Sequence, residues 1–106
     1  MIAEADIDRV VGRIVALCDP DRVYLFGSHA KGNATEKSDL DLVVVAPTAL
    51  PRPLRGANVR AALRSMSFPV DVLFPTPAEL EEELAEPYSL YSTIMPTARL
   101  LYARGG

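Results

Sequence analysis

The feature that most restricts the fold is a strand-to-strand junction in the first half of the chain. Arg22 to Phe26 is a short apolar, aromatic run that stops at Gly27-Ser28. Ten residues later, Asp39-Leu40-Asp41 leads into Leu42-Val43-Val44-Val45. Each run has the composition of a strand. A backbone leaving a strand for a helix start must turn sharply, and glycine allows that without a Cβ penalty. A polar loop returns the chain as a second strand, Asp39 to Ala46, ended by Pro47. The result is a Gly-Ser turn after one strand and a pair of carboxylates at the mouth of the next.

The remaining pattern supplies helices around this junction. Ile7, Val10, Val11, Ile14 and Cys18 recur at helical spacing, so residues 4–18 read as an amphipathic helix that Asp19-Pro20-Asp21 stops. Pro47, Pro51 and Pro53 mark an irregular connection. Val59, Ala62, Leu63 and Met66 put an apolar stripe on a helix from about Leu54 to Ser67, with Arg60 and Arg64 one turn apart on a neighbouring face. Val70 to Phe74 is a third strand. Thr76-Pro77-Ala78-Glu79 is a capping box with proline at the first helical position. Leu80 and Leu84 are expected to face inward on that helix, which Pro87 ends. Tyr88 to Ile94 is a short helix and Arg99 to Ala103 a last strand. The order predicts an α/β (α+β) fold with a small mixed sheet flanked by helices.

At 106 residues the expectation is a single domain, residues 1–106, with one modest core. A net charge of −3 argues against a long nucleic-acid partner, which usually demands a basic face. The single cysteine, Cys18, excludes an internal disulfide and a Cys-rich zinc site, and its helical spacing reads as core. No apolar run spans a bilayer, and the acidic start Met1 to Asp6 lacks the basic residues of a signal peptide. A soluble, cytoplasmic location is the expectation, with no membrane partner.

The chemistry lies in the junction. Amides exposed at a helix start favour an anion such as phosphate, and Ser28 adds a hydroxyl donor. Residues two apart on a strand share a face, so Asp39 and Asp41 point the same way. Two such charges about 4 Å apart repel by roughly 4 kcal/mol at an effective dielectric near 20. A divalent cation between them offsets that cost, and hard oxygen ligands suit Mg²⁺ or Mn²⁺ rather than zinc. Asp71 interrupts the run Pro69 to Phe74, in a strand read as internal, where a lone carboxylate is expensive unless paired or bound to metal. If that strand lies beside Asp39 and Asp41, three carboxylates converge. Such a triad can hold two ions roughly 3.5 to 4 Å apart and clamp an in-line phosphoryl displacement.

Taken together, Gly27, Ser28, Asp39, Asp41 and Asp71 in these strand contexts resemble the signature of the nucleotidyltransferase superfamily of the DNA-polymerase-β type, specifically its minimal nucleotidyltransferases. Lys31-Gly32 stands in the family's basic-Gly position, and Ser38 precedes the first aspartate. The resemblance spans nearly the whole chain, including Leu100-Leu101-Tyr102. It implies that Gly27 and Ser28, with Lys31 beside them, bind the phosphates of a nucleoside triphosphate. It implies that Asp39, Asp41 and Asp71 hold the metals, with Asp71 helping to deprotonate the acceptor hydroxyl. A nucleoside monophosphate, AMP from ATP, would be transferred and pyrophosphate released. Larger relatives carry an added helical domain for the acceptor, so the resemblance implies a partner protein. Minimal members are commonly paired with a helical HEPN toxin, as antitoxins that AMPylate a toxin tyrosine, in a hetero-oligomer.

Two positions depart from the family pattern. His29 stands where relatives often have arginine, and is read as an exposed loop histidine. Met95-Pro96-Thr97 replaces the usual glycine-bearing turn. Tyr88, Leu90, Tyr91 and Ile94 either face a partner or pack on the sheet. Three functions stay open: an active transferase on a protein hydroxyl, a masking antitoxin with a vestigial site, and a transferase for an aminoglycoside-type small molecule or an RNA end. Retention of all three carboxylates favours activity.

Overall fold

The computed structural model describes residues 2–105. Ile7, Val10 and Ile14 are buried along one side of helix α1 (Glu4–Cys18), as their spacing requires. Asp19 ends it with φ 45°, and the fully buried Pro20 follows. The chain continues as β1 (Arg22–Phe26), α2 (Ser28–Lys31), β2 (Leu40–Val45), α3 (Ala57–Leu63), β3 (Val70–Leu73), α4 (Pro77–Leu84), α5 (Leu90–Ile94) and β4 (Arg99–Ala103). Short 3-10 turns at Arg52–Leu54 and Met95–Thr97 lead into α3 and β4.

The strands form one mixed sheet in the order β3-β2-β1-β4. β1 is antiparallel to β2 and β4, and β2 is parallel to β3. One face of the sheet packs on α1 and α3 around Ile14, Leu25 and Leu42. The other holds Val43, Val45, Leu80 and Tyr91 beneath α4 and α5. Covered on both sides, β2 needs an unbroken apolar run rather than an alternating one, which is why Leu42 to Val45 contains no polar residue. Among the described residues no helix is long and apolar enough to cross a membrane.

Three local expectations are corrected and one that stayed open is divided. The helix expected over Leu54 to Ser67 is shorter, because Gly56 adopts φ 71° and starts it only at Ala57. A Cβ at Gly56 would run into the Phe74 ring, so this residue seats α3 against the end of β3. Leu84 is exposed rather than inward-facing, since α4 ends there and only Leu80 reaches the core. The Tyr88 to Ile94 segment splits: Tyr91 and Ile94 pack on the sheet, whereas Tyr88 and Leu90 face outward. Finally, β3 is an edge strand, not an internal one.

That edge is closed by two arginines. The carbonyls of Pro69 and Pro75 accept from Leu40 and Ala46, on the β2 side. The alternate carbonyls turn outward: Val72 O accepts from Arg60 Nη2 at 3.4 Å, and Phe74 O from Arg55 Nη1 at 3.0 Å. The Arg60 guanidinium also lies over the Phe74 ring, 4.9 Å from its centre. Unpaired edge groups invite another strand, and these side chains occupy them.

Arg55 is buried, and its charge is matched by Glu79. Glu79 also completes the capping box, accepting from the Thr76 amide at 2.9 Å while its own amide donates to Thr76 Oγ1 at 3.1 Å. Arg52 reaches both Glu79 (3.3 Å) and Glu83 (3.1 Å). Hydrogen bonds from Arg55, then from the Thr76 amide, hold the Glu79 carboxyl down to about 2 from its ordinary 4.5. A depressed carboxyl stabilises the fold above its ordinary value, and that contribution is lost as the pH falls toward about 2. Glu79→Gln should therefore flatten the acid limb of the stability curve between those two values, as read by thermal melts across pH.

Candidate active site

The end of β1 and the beginning of β2 meet where the chemistry was expected. Phe26, the last residue of β1, is paired with Asp41. Asp41 is in turn paired with Asp71 across the parallel β2–β3 contact. Directly paired residues on neighbouring strands project from the same face, so Asp41 and Asp71 share the α4/α5 side of the sheet. Asp39 immediately precedes β2, two residues from Asp41.

Asp41 carries the marks of this crowding. Burial pushes its carboxyl above the ordinary carboxylate range, the charges of Asp71 and Asp39 push it further, and His29 opposes them. Asp71 itself is exposed, as an edge strand allows. Among the described residues no three His, Cys, Asp or Glu side chains form a ready metal cage. Asp39, Asp41 and Asp71, expected to converge as a triad, therefore stand near one another without forming such a cage; a Mg²⁺ ion needs only one or two carboxylates together with substrate phosphates and water. The donor set is all oxygen and fits such an ion.

Gly27 sits against Asp41. It adopts φ 74° as the residue before α2, and a Cβ there would collide with Asp41 Oδ2. The glycine is thus needed twice, for its backbone angle and for the space its missing side chain leaves to the carboxylate. The Ala30 and Lys31 amides both bond the Gly27 carbonyl at 3.1 Å. The Ser28 and His29 amides precede these first bonds of the turn and so have no partner within it, the kind of donor that favours an anion. Ser28 therefore stands one residue from the Asp41 contact, while Lys31 lies exposed at the far end of α2. Gly27→Ala is expected to cost about 1–3 kcal/mol of stability from the backbone angle alone, since φ 74° with ψ −155° is a region that essentially only glycine adopts. By displacing Asp41 it should also lower catalysis about a hundredfold; melting and a turnover assay check both.

His29 differs from its expected place. It is half-buried on α2, with Nε2 enclosed and without a hydrogen-bond partner. Sequence reading also gave no role to α3. Beside Asp41 and Asp71, a groove of about 970 Å³ opens along the outer edge of β3, with Arg60, Arg64, Phe68 and Leu90 among its lining. The i, i+4 spacing of the two arginines was the one signal of it in the sequence.

Residues 7–95 match the family described as nucleotidyltransferase domain. No curated protein sequence matches the chain. Among solved structures, a Sulfolobus solfataricus protein assigned to the nucleotidyltransferases is similar, with a TM-score of 0.64 and 20% identity over 92% of this chain and 78% of that one. A toxin–antitoxin structure with AMP-PNP gives a TM-score of 0.62 and 18% identity over 92% of this chain and 74% of that one. A mutant of the toxin–antitoxin MntA-HpeT gives 0.59 and 19%, over 99% of this chain and 76% of that one. At these identities the likeness to each structure is one of fold.

Proposed function

Since the chain belongs to the nucleotidyltransferase domain family, we propose that it transfers a nucleoside monophosphate, AMP from ATP, to a hydroxyl of a partner protein. The observation that carries this reading is the pairing of Asp41 with Asp71 beside the Gly27-Ser28 turn. A phosphate-binding turn and a cluster of mutually repelling carboxylates on one sheet face are the two halves of a nucleotidyl-transfer site.

The roles follow from position. The turn at Gly27 and Ser28 holds the β- and γ-phosphates, so that pyrophosphate departs on that side. Lys31 adds positive charge at the rim. Asp39, Asp41 and Asp71 would hold divalent ions, Mg²⁺ or Mn²⁺. When bound, those ions neutralise the triphosphate and stabilise the charge that develops in an in-line displacement. Asp71 would take the proton of the incoming hydroxyl; its exposure at the sheet edge supports that role. The acceptor oxygen forms a bond to the α-phosphorus as the bond to the bridging oxygen of pyrophosphate breaks.

The partner is a helical protein of the HEPN toxin type and its acceptor a tyrosine, with this chain acting as the antitoxin of a hetero-oligomer. Support comes from the two toxin–antitoxin structures that share the fold and from the fully exposed Tyr88, which leaves an aromatic free for a contact. The test is incubation of ATP and Mg²⁺ with the chain and the product of its neighbouring gene. Label in the α-phosphate should pass to the partner, label in the γ-phosphate should not, and EDTA should stop the reaction. If neither label reaches any acceptor, and the Asp41→Asn chain behaves as wild type, only a masking role is left.

A further inference from the structure

In an in-line displacement the nucleophile enters opposite the leaving group. Asp41 touches Gly27 on one side and lines the β3 groove on the other, whereas neither Gly27 nor Ser28 lines that groove. With pyrophosphate leaving at the Gly27-Ser28 turn, the groove is the entrance for the acceptor. The lining of the groove then describes what enters.

Two arginines stand in that wall. Arg60 on α3 and Arg64, which caps its C-terminal end, lie four residues apart in the groove wall, and both are exposed. Arg9, Arg52, Arg55, Arg99 and Arg104 each pair with a carboxylate. Arg60 has no carboxylate partner but is held by the Arg55 and Val72 carbonyls and the Phe74 ring, whereas Arg64 has neither an ion pair nor a hydrogen bond among the described residues and stands in the groove wall. In a chain of net charge −3, the unpaired Arg64 guanidinium at the mouth of the groove, with the positive charge of Arg60 beside it, favours an anion that is not part of the chain. The same wall carries apolar side chains, Leu63, Met66, Phe68 and Leu90 among them. A nucleic-acid strand would bring a row of phosphates past Asp41 and Asp71 on a surface without a basic stripe. A protein segment with one acidic side chain near an apolar hydroxyl-bearing residue meets both the cationic and the apolar parts of the groove.

We infer that Arg64, with Arg60 beside it, selects the acceptor, and that the segment carrying the proposed tyrosine has an acidic side chain next to the reacting hydroxyl. This inference rests on the proposed function for the direction of attack. Arg60 also bonds the Val72 carbonyl, so the test is placed on Arg64, which is exposed and outside the catalytic turn.

The probes are short fluorescent peptides with one tyrosine flanked by glutamates, by lysines or by serines, together with a short RNA oligonucleotide. Fluorescence anisotropy at low salt should show the glutamate-flanked peptide bound about tenfold tighter than the serine-flanked one. In Arg64→Glu that order should reverse in favour of the lysine-flanked peptide, while the melting temperature is unchanged. Equal binding of all three peptides, tighter binding of the RNA, or an order that survives Arg64→Glu overturns the inference. Transfer from α-labelled ATP is measured on the same peptides. Transfer without a charge preference keeps the proposed function and removes this inference. A charge preference without transfer keeps the groove's selectivity and removes the function.

Discussion

Asp41→Asn should lower nucleotidyl transfer by about a thousandfold or more, and the same variant should melt at a higher temperature than the wild type. The two effects come from one environment. Asp41 is the half-buried centre of the carboxylate cluster, paired with Asp71 and in contact with Gly27. Burial and the neighbouring negative charges raise its carboxyl above the ordinary value of 3.8. A group raised in this way favours its neutral form in the fold, so stability declines as the pH rises through the raised value. Asparagine keeps the shape and carries no charge, and it relieves that penalty at neutral pH. Below pH 3.8 both side chains are neutral and the difference in melting temperature should close. A loss of several kcal/mol in transition-state stabilisation, set against a gain in stability, separates a carboxylate kept for chemistry from one kept for packing. A variant that is inactive and also less stable would count against this assignment.

Arg55→Ala should remove about 3 kcal/mol of stability, enough to lower Tm by about 12 °C or more in a domain of this size. Arg55 is one of few charged residues in the interior, and three different parts of the chain converge on it. Its Nε donates to the Leu50 carbonyl at 2.8 Å, Nη1 to the Phe74 carbonyl at 3.0 Å, and the remaining face of the fork to Glu79. Truncation leaves Glu79 without its main partner and two carbonyls unsatisfied. Glu79 keeps about a quarter of its side chain exposed, so water recovers part of the loss. For that reason the expected value lies at the low end of the range for broken buried pairs. Arg55→Lys should rescue little, because an ammonium cannot reach both carbonyls and the carboxylate at once. Chemical denaturation of Arg55→Ala, Glu79→Gln and the double variant gives the coupling directly. A double variant as unstable as the sum of the singles would mean that the pair does not act together.

Local signals made much of this protein readable. The Thr76–Glu79 capping box, the Gly27-Ser28 turn and the apolar run of β2 each name a structure within a few residues, and each forms as expected. That Asp41 and Asp71 share a sheet face was legible because both lie at strand positions whose faces follow from alternation. What the sequence hides is non-local. Nothing in Val70 to Leu73 says whether one or two strands flank it, so the edge position of β3 and the exposure of Asp71 appear only with the sheet order. Arg55 and Glu79 are 24 residues apart, and no spacing rule joins them. The left-handed angle at Gly56 shortened α3 because the Phe74 ring occupies the space a side chain would need, a contact between segments that sequence periodicity cannot report.

The outward carbonyls of Val72 and Phe74 are already taken by Arg60 and Arg55. The sheet therefore cannot recruit a fifth strand along this flank without first surrendering two cationic clasps. A visiting protein must present a side chain here rather than its main chain. In the proposed transfer to a protein hydroxyl, that restriction keeps the target's backbone at a distance and leaves only its reactive tip near the phosphorus.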